Sequence, residues 1–255
     1  MGNPYESNKL VSEYLLFHYG QPSEILPHDQ GPHSALDFAV RSVTEMIDLA
    51  SLPDTASALD LGCAVGRSSF TLSETCAEVL GIDFSHAFVA AAQTMATERC
   101  MSYHRTDEGA ISTRLSAQLP ESANPERVTF AQGDATALPT DIGGFDVALL
   151  ANLICRLPQP KQCLDRLPSL IRPGGQLIIT SPYTWLDDFT PREHWLGGYE
   201  EGEKAIVTID ALTTALTPHF ELMKRRNLPM LIREHARKYQ WTVAEGSLWK
   251  RRSNS

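Results

Sequence analysis

A turn containing two glycines follows the first strongly apolar segment of the sequence. The stretch Asp60–Gly66 reads DLGCAVG, and a helix-like pattern begins at Arg67. Glycine lets the backbone pass close to a ligand because it has no Cβ atom, and free amides at the start of a helix point toward such a ligand. These residue types at this spacing predict a nucleotide-binding turn.

Acidic residues follow the next apolar segments. Asp83 lies about 20 residues beyond the glycine turn, where a carboxylate can accept hydrogen bonds from both hydroxyls of a ribose. Asp134, within Gly133–Ala135, can accept one from an exocyclic amino group such as that of adenine. Taken alone, either acid could instead form a helix cap or a turn. Together with the glycine turn they predict a pocket for an adenosine.

The residues inside the turn narrow the choice of adenosine ligand. The fingerprint of dinucleotide-binding folds requires glycines at positions 62, 64 and 67, whereas this chain has Gly62, Ala64 and Arg67. The Lys-Ser/Thr pattern of a P-loop is also missing from the sequence. A pyrophosphate site is therefore poorly supported, although an NAD-dependent oxidoreductase and a non-catalytic adenosyl-binding protein stay as alternatives.

Alternating strands and helices would position these residues. Apolar runs of strand length occupy 57–62, 78–83, 128–134, 145–151 and 175–182. Helix-like stretches lie between them at Arg67–Cys76, His86–Arg99, Gln162–Ile171 and, shorter, after Ala135. This alternation predicts an α/β fold with a parallel sheet and right-handed crossovers. Ligands of such sheets bind at the carboxyl ends of the strands, where the candidate residues lie.

The flanking segments predict additional elements. Residues 1–50 are expected to form a helical cap with helices over Asn8–Tyr19 and Ser34–Ala50, and residues 51–255 the main domain. The polar stretch 97–127 has few helix or strand signals and is expected to be an elaborated crossover. Two long strand patterns, 219–235 and 238–252, predict a terminal antiparallel hairpin.

Composition limits the partners. The chain has 255 residues and a net charge of -9, which argues against nucleic acid because its binders usually carry a basic face. Five cysteines lack the spacing of a metal or redox motif and are interpreted as reduced thiols, so no metal is expected. No segment is apolar enough to span a bilayer and none resembles a signal peptide. We expect a cytoplasmic protein with a small-molecule substrate, and the sequence leaves its oligomeric state open.

The ordered motifs resemble those of class I S-adenosylmethionine-dependent methyltransferases. They are DLGCAVG, GID, GDA, FDVALLANL and RPGGQLIITSPY, roughly between residues 55 and 182. The resemblance implies a Rossmann-like, seven-stranded, mostly parallel sheet with S-adenosylmethionine over the strand ends. The cofactor-binding residues that it implies are Asp60, Gly62, Cys63, Ala64, Gly66, Asp83, Phe84, Gly133, Asp134, Ala135 and Asn152.

The flanks resemble a narrower group, the methyltransferases of ovothiol biosynthesis. The segments are YESNKLVSEYLLFHYG, GPHSALDFAVRSV and SPYTWLDDFTPREHWLGG. The resemblance implies a free-standing enzyme that methylates the imidazole Nπ of 5-thiohistidine to give ovothiol A. Histidine, another amine or a thiol remain alternative acceptors.

Methyl transfer from a sulfonium depends on positioning more than on a strong base, because its leaving group is already good. The candidate substrate-binding residues are Tyr14, His18, Tyr19, Phe38, Arg41, Arg156, Tyr183, Trp185 and Asp187. Arg41 is the leading candidate for the substrate carboxylate, with Arg156 second, because a guanidinium matches a carboxylate in a bidentate fork. Asp187 or Asp188 would hold the α-amino group. The candidate catalytic residues are His18 as a base, and Asn152 and Tyr14 as groups that orient the ring.

Overall fold

Helices and strands alternate through the middle of the chain. The computed structural model describes residues 4–253. Its helices are α1 (Asn8–Tyr19), α2 (Pro22–Ile25), α3 (Phe38–Thr44), α4 (Arg67–Leu72), α5 (His86–Glu98), α6 (Pro160–Leu170) and α7 (Thr208–Leu216). Its strands are β1 (Ser57–Leu61), β2 (Glu78–Asp83), β3 (Cys100–Glu108), β4 (Ile111–Gln118), β5 (Val128–Gln132), β6 (Phe145–Ala151), β7 (Ile171–Ser181), β8 (Tyr199–Glu201), β9 (Lys204–Ile206), β10 (Phe220–His235) and β11 (Lys238–Arg251).

Seven of these strands form the main sheet, in the order β10-β11-β7-β6-β1-β2-β5. The five strands from β7 to β5 are parallel, whereas β11 pairs antiparallel with both β7 and β10. The strand order reverses at β1, so a crevice forms above the carboxyl ends of β1, β2 and β6. The predicted α/β fold with its antiparallel hairpin is confirmed.

Apolar side chains cover both faces of the sheet. In β6, the run from Val147 to Leu150 is fully buried, as expected for a central parallel strand that has helices on both sides. In β1, Ala58 belongs to one hydrophobic cluster and Leu59 to the other, because successive side chains of a strand point to opposite faces. The polar residues that follow these strands therefore lie at the carboxyl edge of the sheet, where a ligand can reach them. This edge is called the rim below.

The stretch 97–127 elaborates the crossover between α5 and β5, as expected, but its strands were not predicted. This stretch contains β3 and β4, an antiparallel hairpin in which Tyr103 and Ala117 are buried while most of the opposite face is exposed. An antiparallel pair needs only one apolar face, so its sequence looks polar overall. The signal that could have revealed it is Gly109, which has φ 55 and marks the turn between two alternating segments.

Two predicted helices also differ from the structure. The helix expected over Ser34–Ala50 is limited to α3, because Asp37 has a left-handed φ of 56 where a continuous helix would have to pass. The short helix expected after Ala135 is replaced by a turn, since Asp134 Oδ1 accepts a hydrogen bond from the Thr136 amide at 2.8 Å. Neither the β8–β9 hairpin nor α7 is predicted from the sequence.

A buried arginine fixes the N-terminal cap. Arg233 of β10 is 4% exposed; its Nη2 is 3.1 Å from Asp107 Oδ1, and its Nη1 donates to the Glu24 carbonyl at 2.8 Å. The Ala236 amide donates to the Asp107 carbonyl at 3.0 Å. β10, the β3–β4 hairpin and α2 are thereby joined around α1. The division into a cap of residues 1–50 and a domain of residues 51–255 stays a prediction.

Among residues 4–253, no helix combines the length and apolarity needed to cross a bilayer. The same residues contain no group of three or more His, Cys, Asp or Glu side chains arranged to hold a metal ion.

Candidate functional site

The glycine turn and Asp83 meet at the carboxyl ends of β1 and β2. Gly62 has φ 76, Ala64 has φ 48 and Gly66 has φ 88, so the turn depends on left-handed backbone. Asp83 Oδ2 accepts a hydrogen bond from the Ala64 amide at 2.9 Å, and Oδ1 accepts one from the Ser85 amide at 2.9 Å. Burial raises the pKa of Asp83, and these amide donors act in the opposite direction. The predicted ribose-binding acid therefore directly adjoins the turn.

Asp60 lies below the turn and is fully buried. Its Oδ2 accepts hydrogen bonds from Ser68 at 2.7 Å and Ser69 at 2.6 Å, while its buried Oδ1 has no partner among the described residues. Burial raises the pKa of Asp60 to about 6. A buried carboxylate oxygen without a donor is costly, so it is suited to a cationic group of a ligand.

Gly66 also has a packing role. A Cβ at this position would lie 2.7 Å from Phe130 Cζ and 3.1 Å from the Ala92 Cβ. A Cβ on Gly62 would approach Leu153 Cδ1 to 3.0 Å. Both glycines are therefore required by the contacts between the turn and its neighbours as well as by the left-handed backbone.

The end of β5 continues this rim. The Gly133 amide donates to the Asp83 carbonyl at 3.0 Å, which places Gly133–Ala135 beside the end of β2. Asp134 Oδ1 accepts hydrogen bonds from the amide and the hydroxyl of Thr136. Asp134 therefore stabilises a turn, which was the alternative role considered for it from the sequence. Phe84 is 59% exposed at the same rim. An exposed aromatic face beside two acids is suited to stacking a nucleobase.

Asn152 follows β6 in a left-handed conformation with φ 54. Its Oδ1 accepts a hydrogen bond from Thr180 at 3.0 Å, and its Nδ2 donates to Met230 Sδ at 3.0 Å. Tyr183, after β7, also has φ 54, and its hydroxyl donates to Glu245 Oε2 at 2.9 Å. With Ala64, non-glycine residues in this costly conformation follow three neighbouring strands, a pattern that clusters at functional sites.

Helix α1 packs onto the glycine turn. The Tyr19 hydroxyl donates to the Val65 carbonyl at 2.8 Å. The neighbouring His18 has a buried Nδ1 with no partner among the described residues. Burial lowers the pKa of His18 to about 3, and the charge of Arg67 acts in the same direction. His18 is therefore a neutral imidazole at physiological pH and a weak proton acceptor.

Arg156 lies in an aromatic cluster next to this rim. Its guanidinium carbon is 4.8 Å from the centre of the Phe189 ring, and Nη1 donates to the Thr184 carbonyl at 3.0 Å. Burial raises the pKa of Tyr5, and Arg156 lowers it through its charge and a hydrogen bond. Burial likewise raises the pKa of Tyr14, on which Arg156 and Asp83 also act. Arg156, Tyr5, Tyr14 and the predicted ribose-binding acid Asp83 are therefore neighbours and affect one another electrostatically.

Tyr5 was not among the predicted site residues. Its ring centre lies 6.2 Å from Tyr14 and 6.2 Å from Phe189, and its carbonyl accepts from Ser85 Oγ at 2.9 Å. Glu6 accepts from the amides of the first turn of α5, at 3.0 and 3.1 Å. The N-terminal segment is therefore fixed to the helix that follows the ribose-binding acid, an arrangement with no local sequence signal.

Arg41 does not lie with these residues. Its Nε donates to Glu45 Oε1 at 2.6 Å and its Nη1 donates to the Pro229 carbonyl at 2.8 Å. It lines a separate surface cavity of about 500 Å³ together with Arg226, Asn227 and other residues, none of them from the glycine turn or the strand ends. The predicted carboxylate-binding role does not fit this position, because a carboxylate of its own helix already occupies the guanidinium.

Other predicted substrate residues have structural roles. Phe38 is buried and stacks on Phe17 with ring centres 6.1 Å apart. Trp185 is buried, and its indole donates to Thr208 Oγ1 at 2.9 Å. These two side chains pack within the cap and against α7 instead of facing the rim. Asp187 and Asp188 are exposed on the loop after β7.

Residues 59–179, which contain the turn and the strand ends just described, match the family model described as a methyltransferase domain. This match covers slightly under half of the chain and, together with the strand order of the sheet, shows the class I methyltransferase fold. Domains of this class use S-adenosylmethionine, and the residues at the strand ends fit that cofactor. The residues that would hold it are Asp60, whose Oδ1 has no partner among the described residues, Asp83 at the turn and the exposed Phe84.

Curated relatives of this methyltransferase domain differ in their substrates. The demethylmenaquinone methyltransferase of Lactococcus lactis is 28% identical over 141 residues, which are 54% of this chain and 45% of that protein. A probable chloroplastic tocopherol O-methyltransferase of Oryza sativa is 25% identical over 57% of this chain and 35% of that protein. The chain spans less than half the length of these relatives.

Solved structures share the fold of the methyltransferase domain. An S-adenosylmethionine-dependent methyltransferase from Methanosarcina mazei has a TM-score of 0.54 at 17% identity, covering 80% of this chain and 96% of that one. The N-methyltransferase NodS from Bradyrhizobium japonicum, in complex with S-adenosylhomocysteine, has a TM-score of 0.51 at 16% identity, covering 95% and 99%. At these identities the similarity concerns the fold.

Asp60 is expected to make the stability of the methyltransferase domain depend on pH. Its pKa is about 6 in the fold, against 3.8 for a free side chain, so the folded state holds the proton more tightly. The free energy of unfolding should therefore decrease as pH rises from about 4 to above 6, in total by about 2–3 kcal/mol. Replacing Asp60 by asparagine should reduce this dependence, and urea unfolding at pH 4.5 and 7.5 measures it.

The matched control is Asp165→Asn, because Asp165 is exposed and paired only with Lys161. It should leave the difference between the two pH values unchanged. An Asp60→Asn protein with the same pH dependence as the wild type would show that Asp60 does not carry this proton.

Proposed function

We propose that the chain is an S-adenosylmethionine-dependent N-methyltransferase that methylates the imidazole Nπ of 5-thiohistidine, giving ovothiol A. The observation that carries the proposal is the cluster of Arg156, Tyr5 and Tyr14 beside Asp83, with the neutral His18 close by on α1. It offers a cation, hydrogen-bonding phenols and an uncharged imidazole to a small amino acid. The sequence resemblance of the flanks to ovothiol methyltransferases supports the same acceptor.

Arg156 would bind the carboxylate of the substrate. Its Nη1 donates to two backbone carbonyls, and its guanidinium packs over Phe189. The guanidinium is therefore held in place, and its other nitrogens would bind the ligand. Bidentate pairing of a guanidinium with a carboxylate adds geometric specificity as well as energy. Arg156 thereby takes the role that the sequence assigned first to Arg41.

Asn152 and His18 would orient the imidazole ring. The Asn152 Nδ2 donates only to Met230 Sδ, a weak acceptor, so a ring nitrogen or thiolate of the substrate would be a better partner. His18, with a pKa of about 3, does not add charge next to a sulfonium and can exchange a hydrogen bond with a ring N–H. These residues position the reacting nitrogen, and a strong base is not required.

S-adenosylmethionine, when bound, supplies a methyl group on a sulfonium whose thioether is a good leaving group. The chain contributes orientation and exclusion of water. Tyr5 and Tyr14 pack with Phe88 and cover the rim from the N-terminal side, with ring centres 5.6 and 4.7 Å from Phe88. Holding two reactants in line can supply roughly 7–11 kcal/mol of the barrier.

The acceptor is tested by incubating the purified protein with S-adenosylmethionine and, separately, 5-thiohistidine, histidine and ergothioneine. Mass detection should show one added methyl group on 5-thiohistidine and little on the others. Methylation of histidine without methylation of 5-thiohistidine would contradict the proposed acceptor. Calorimetry with S-adenosylhomocysteine and NADH is the second measurement, since binding of NADH alone would contradict the methyltransferase function itself.

A further inference from the structure

The β10–β11 hairpin extends beyond the rest of the sheet. β7 pairs with β11 only from Glu245 to Lys250, whereas β10 pairs with it along its whole length. Within residues 4–253, the stretch 238–244 of β11 therefore has a neighbouring strand on one side only. Seven residues of strand, about 24 Å at 3.4 Å per residue, present an unpaired edge.

The side chains of this edge are mostly apolar. Trp241 is 60% exposed and Val243 is 40% exposed, and Tyr239 lies on the same face because side chains alternate along a strand. Within 238–244 the one charged side chain is Lys238, which is paired with Glu234 at 2.6 Å. Natural proteins usually protect such edges with charges or proline. This edge lacks that protection.

In contrast to this stretch of β11, the outer strand β10 carries several charged residues and a proline. It carries Lys224, Arg225 and Arg226 near its start and Pro229 in its middle. Charged residues and proline on an edge discourage pairing with another chain. The chain therefore protects one free edge of this hairpin and leaves the other apolar.

The pattern on β11 is symmetric about Trp241. If a second copy paired antiparallel with its two-fold axis at this residue, Trp241 would face its own copy and Tyr239 would face Val243 on both sides. The pairing would end at residues 238 and 244, because Glu245 is already paired with Ser181 of β7. A two-fold interface requires a surface that is complementary to itself, and aromatic and β-branched residues directly opposite each other stabilise a strand pair.

We propose that residues 238–244 form the interface of a homodimer in which the β11 strands of two copies pair antiparallel about Trp241. The two sheets would become continuous across this interface. A surface cavity of about 350 Å³ borders Tyr239 and Trp241 and is also lined by Leu26, Pro32, Leu231 and other residues. Because one strand pair alone buries less than the roughly 1,600 Å² of a standard interface, the apolar wall of this cavity supplies further area for contact.

The first test is the mass of the full chain in solution, measured by light scattering after size exclusion and by sedimentation over a range of concentrations. A dimer is expected for the wild type, and Trp241→Lys should weaken dimerisation at least tenfold. Met223→Lys is the matched control, since Met223 is a 54% exposed apolar residue of β10 outside the proposed interface. It should leave the dimer intact.

A wild type that is monomeric at all concentrations would overturn the proposal. A dimer that Trp241→Lys leaves unchanged would overturn this interface. Circular dichroism and melting of each variant show whether it is folded, and exposed Trp241 can be replaced without opening the core.

The second test examines the register by disulfide formation. Directly opposite Cα atoms of an antiparallel pair are about 4.5–5.5 Å apart, within the range that a disulfide can join. In a Cys100→Ser background, which removes the exposed native thiol, Trp241→Cys should form a linked dimer under mild oxidation. Val243→Cys should link much more slowly because it faces Tyr239 of the second copy. If Val243→Cys formed the linked dimer faster than Trp241→Cys, the two-fold axis would not lie at Trp241, and the proposed register would be overturned.

Discussion

Replacing Asp83 by alanine is expected to weaken the binding of S-adenosylhomocysteine by roughly 10- to 150-fold, the equivalent of about 1.5–3 kcal/mol for lost charge-assisted hydrogen bonds. Asp83 is the acid of the rim that also holds the Ala64 and Ser85 amides, each at 2.9 Å. Its loss would remove the proposed acceptor for the ribose and the hydrogen bond that holds the glycine turn. Titration calorimetry of the variant and the wild type measures the change.

Asp83→Asn separates these two contributions. Asparagine keeps one oxygen for an amide donor but lacks the second acceptor and the charge. Its affinity should lie between those of the wild type and the alanine variant. Asp165→Asn, an exposed change far from the rim in the sequence, serves again as the control. Unchanged affinity in Asp83→Ala would contradict the ribose-binding role.

Replacing Arg156 by alanine is expected to raise the KM for 5-thiohistidine by roughly 10- to 150-fold, the range of a lost hydrogen bond to a charged partner, with cofactor affinity changed less than about twofold. The reason is its position: the guanidinium lies over Phe189 and beside Tyr5 and Tyr14. Steady-state kinetics with 5-thiohistidine varied at saturating cofactor give the KM. Calorimetry with S-adenosylhomocysteine gives the cofactor affinity.

Arg41→Ala is the matched control for this variant. Arg41 is paired with Glu45 and the Pro229 carbonyl in a separate cavity, so its loss should reduce the free energy of unfolding by about 1 kcal/mol and leave the KM nearly unchanged. A raised KM in Arg41→Ala and a normal KM in Arg156→Ala would reverse the assignment of the two arginines.

The sequence predicts most of the central sheet because its signals are local. Each central strand is a short buried run such as Val147–Leu150, and the residue after a parallel strand must lie at its carboxyl end. Asp83 and the glycine turn therefore meet as expected, and the hydrogen bond between Asp83 and Ala64 shows the contact. Periodicity also places α1 over Asn8–Tyr19, the range observed.

The sequence does not predict contacts between distant segments. Tyr5 reaches the rim because its carbonyl bonds Ser85, and Arg156 is brought to it by packing on Phe189. Arg41 has the right chemistry for a carboxylate, but a residue one helical turn away satisfies it. The β3–β4 hairpin was missed because most of its side chains are exposed, so its sequence looks polar apart from the turn at Gly109.

The placement of β11 affects how the chain folds during synthesis. β11 follows β10 along the chain but lies between β10 and β7 in the sheet. While a ribosome has released residues only as far as His235, β10 lacks its partner strand β11, and a domain generally folds as a unit. The hairpin arm with Met230, which contacts Asn152 at the site, is joined to the sheet through β11. The proposed methyltransferase activity is therefore expected only after residues 238–251 have emerged from the ribosome.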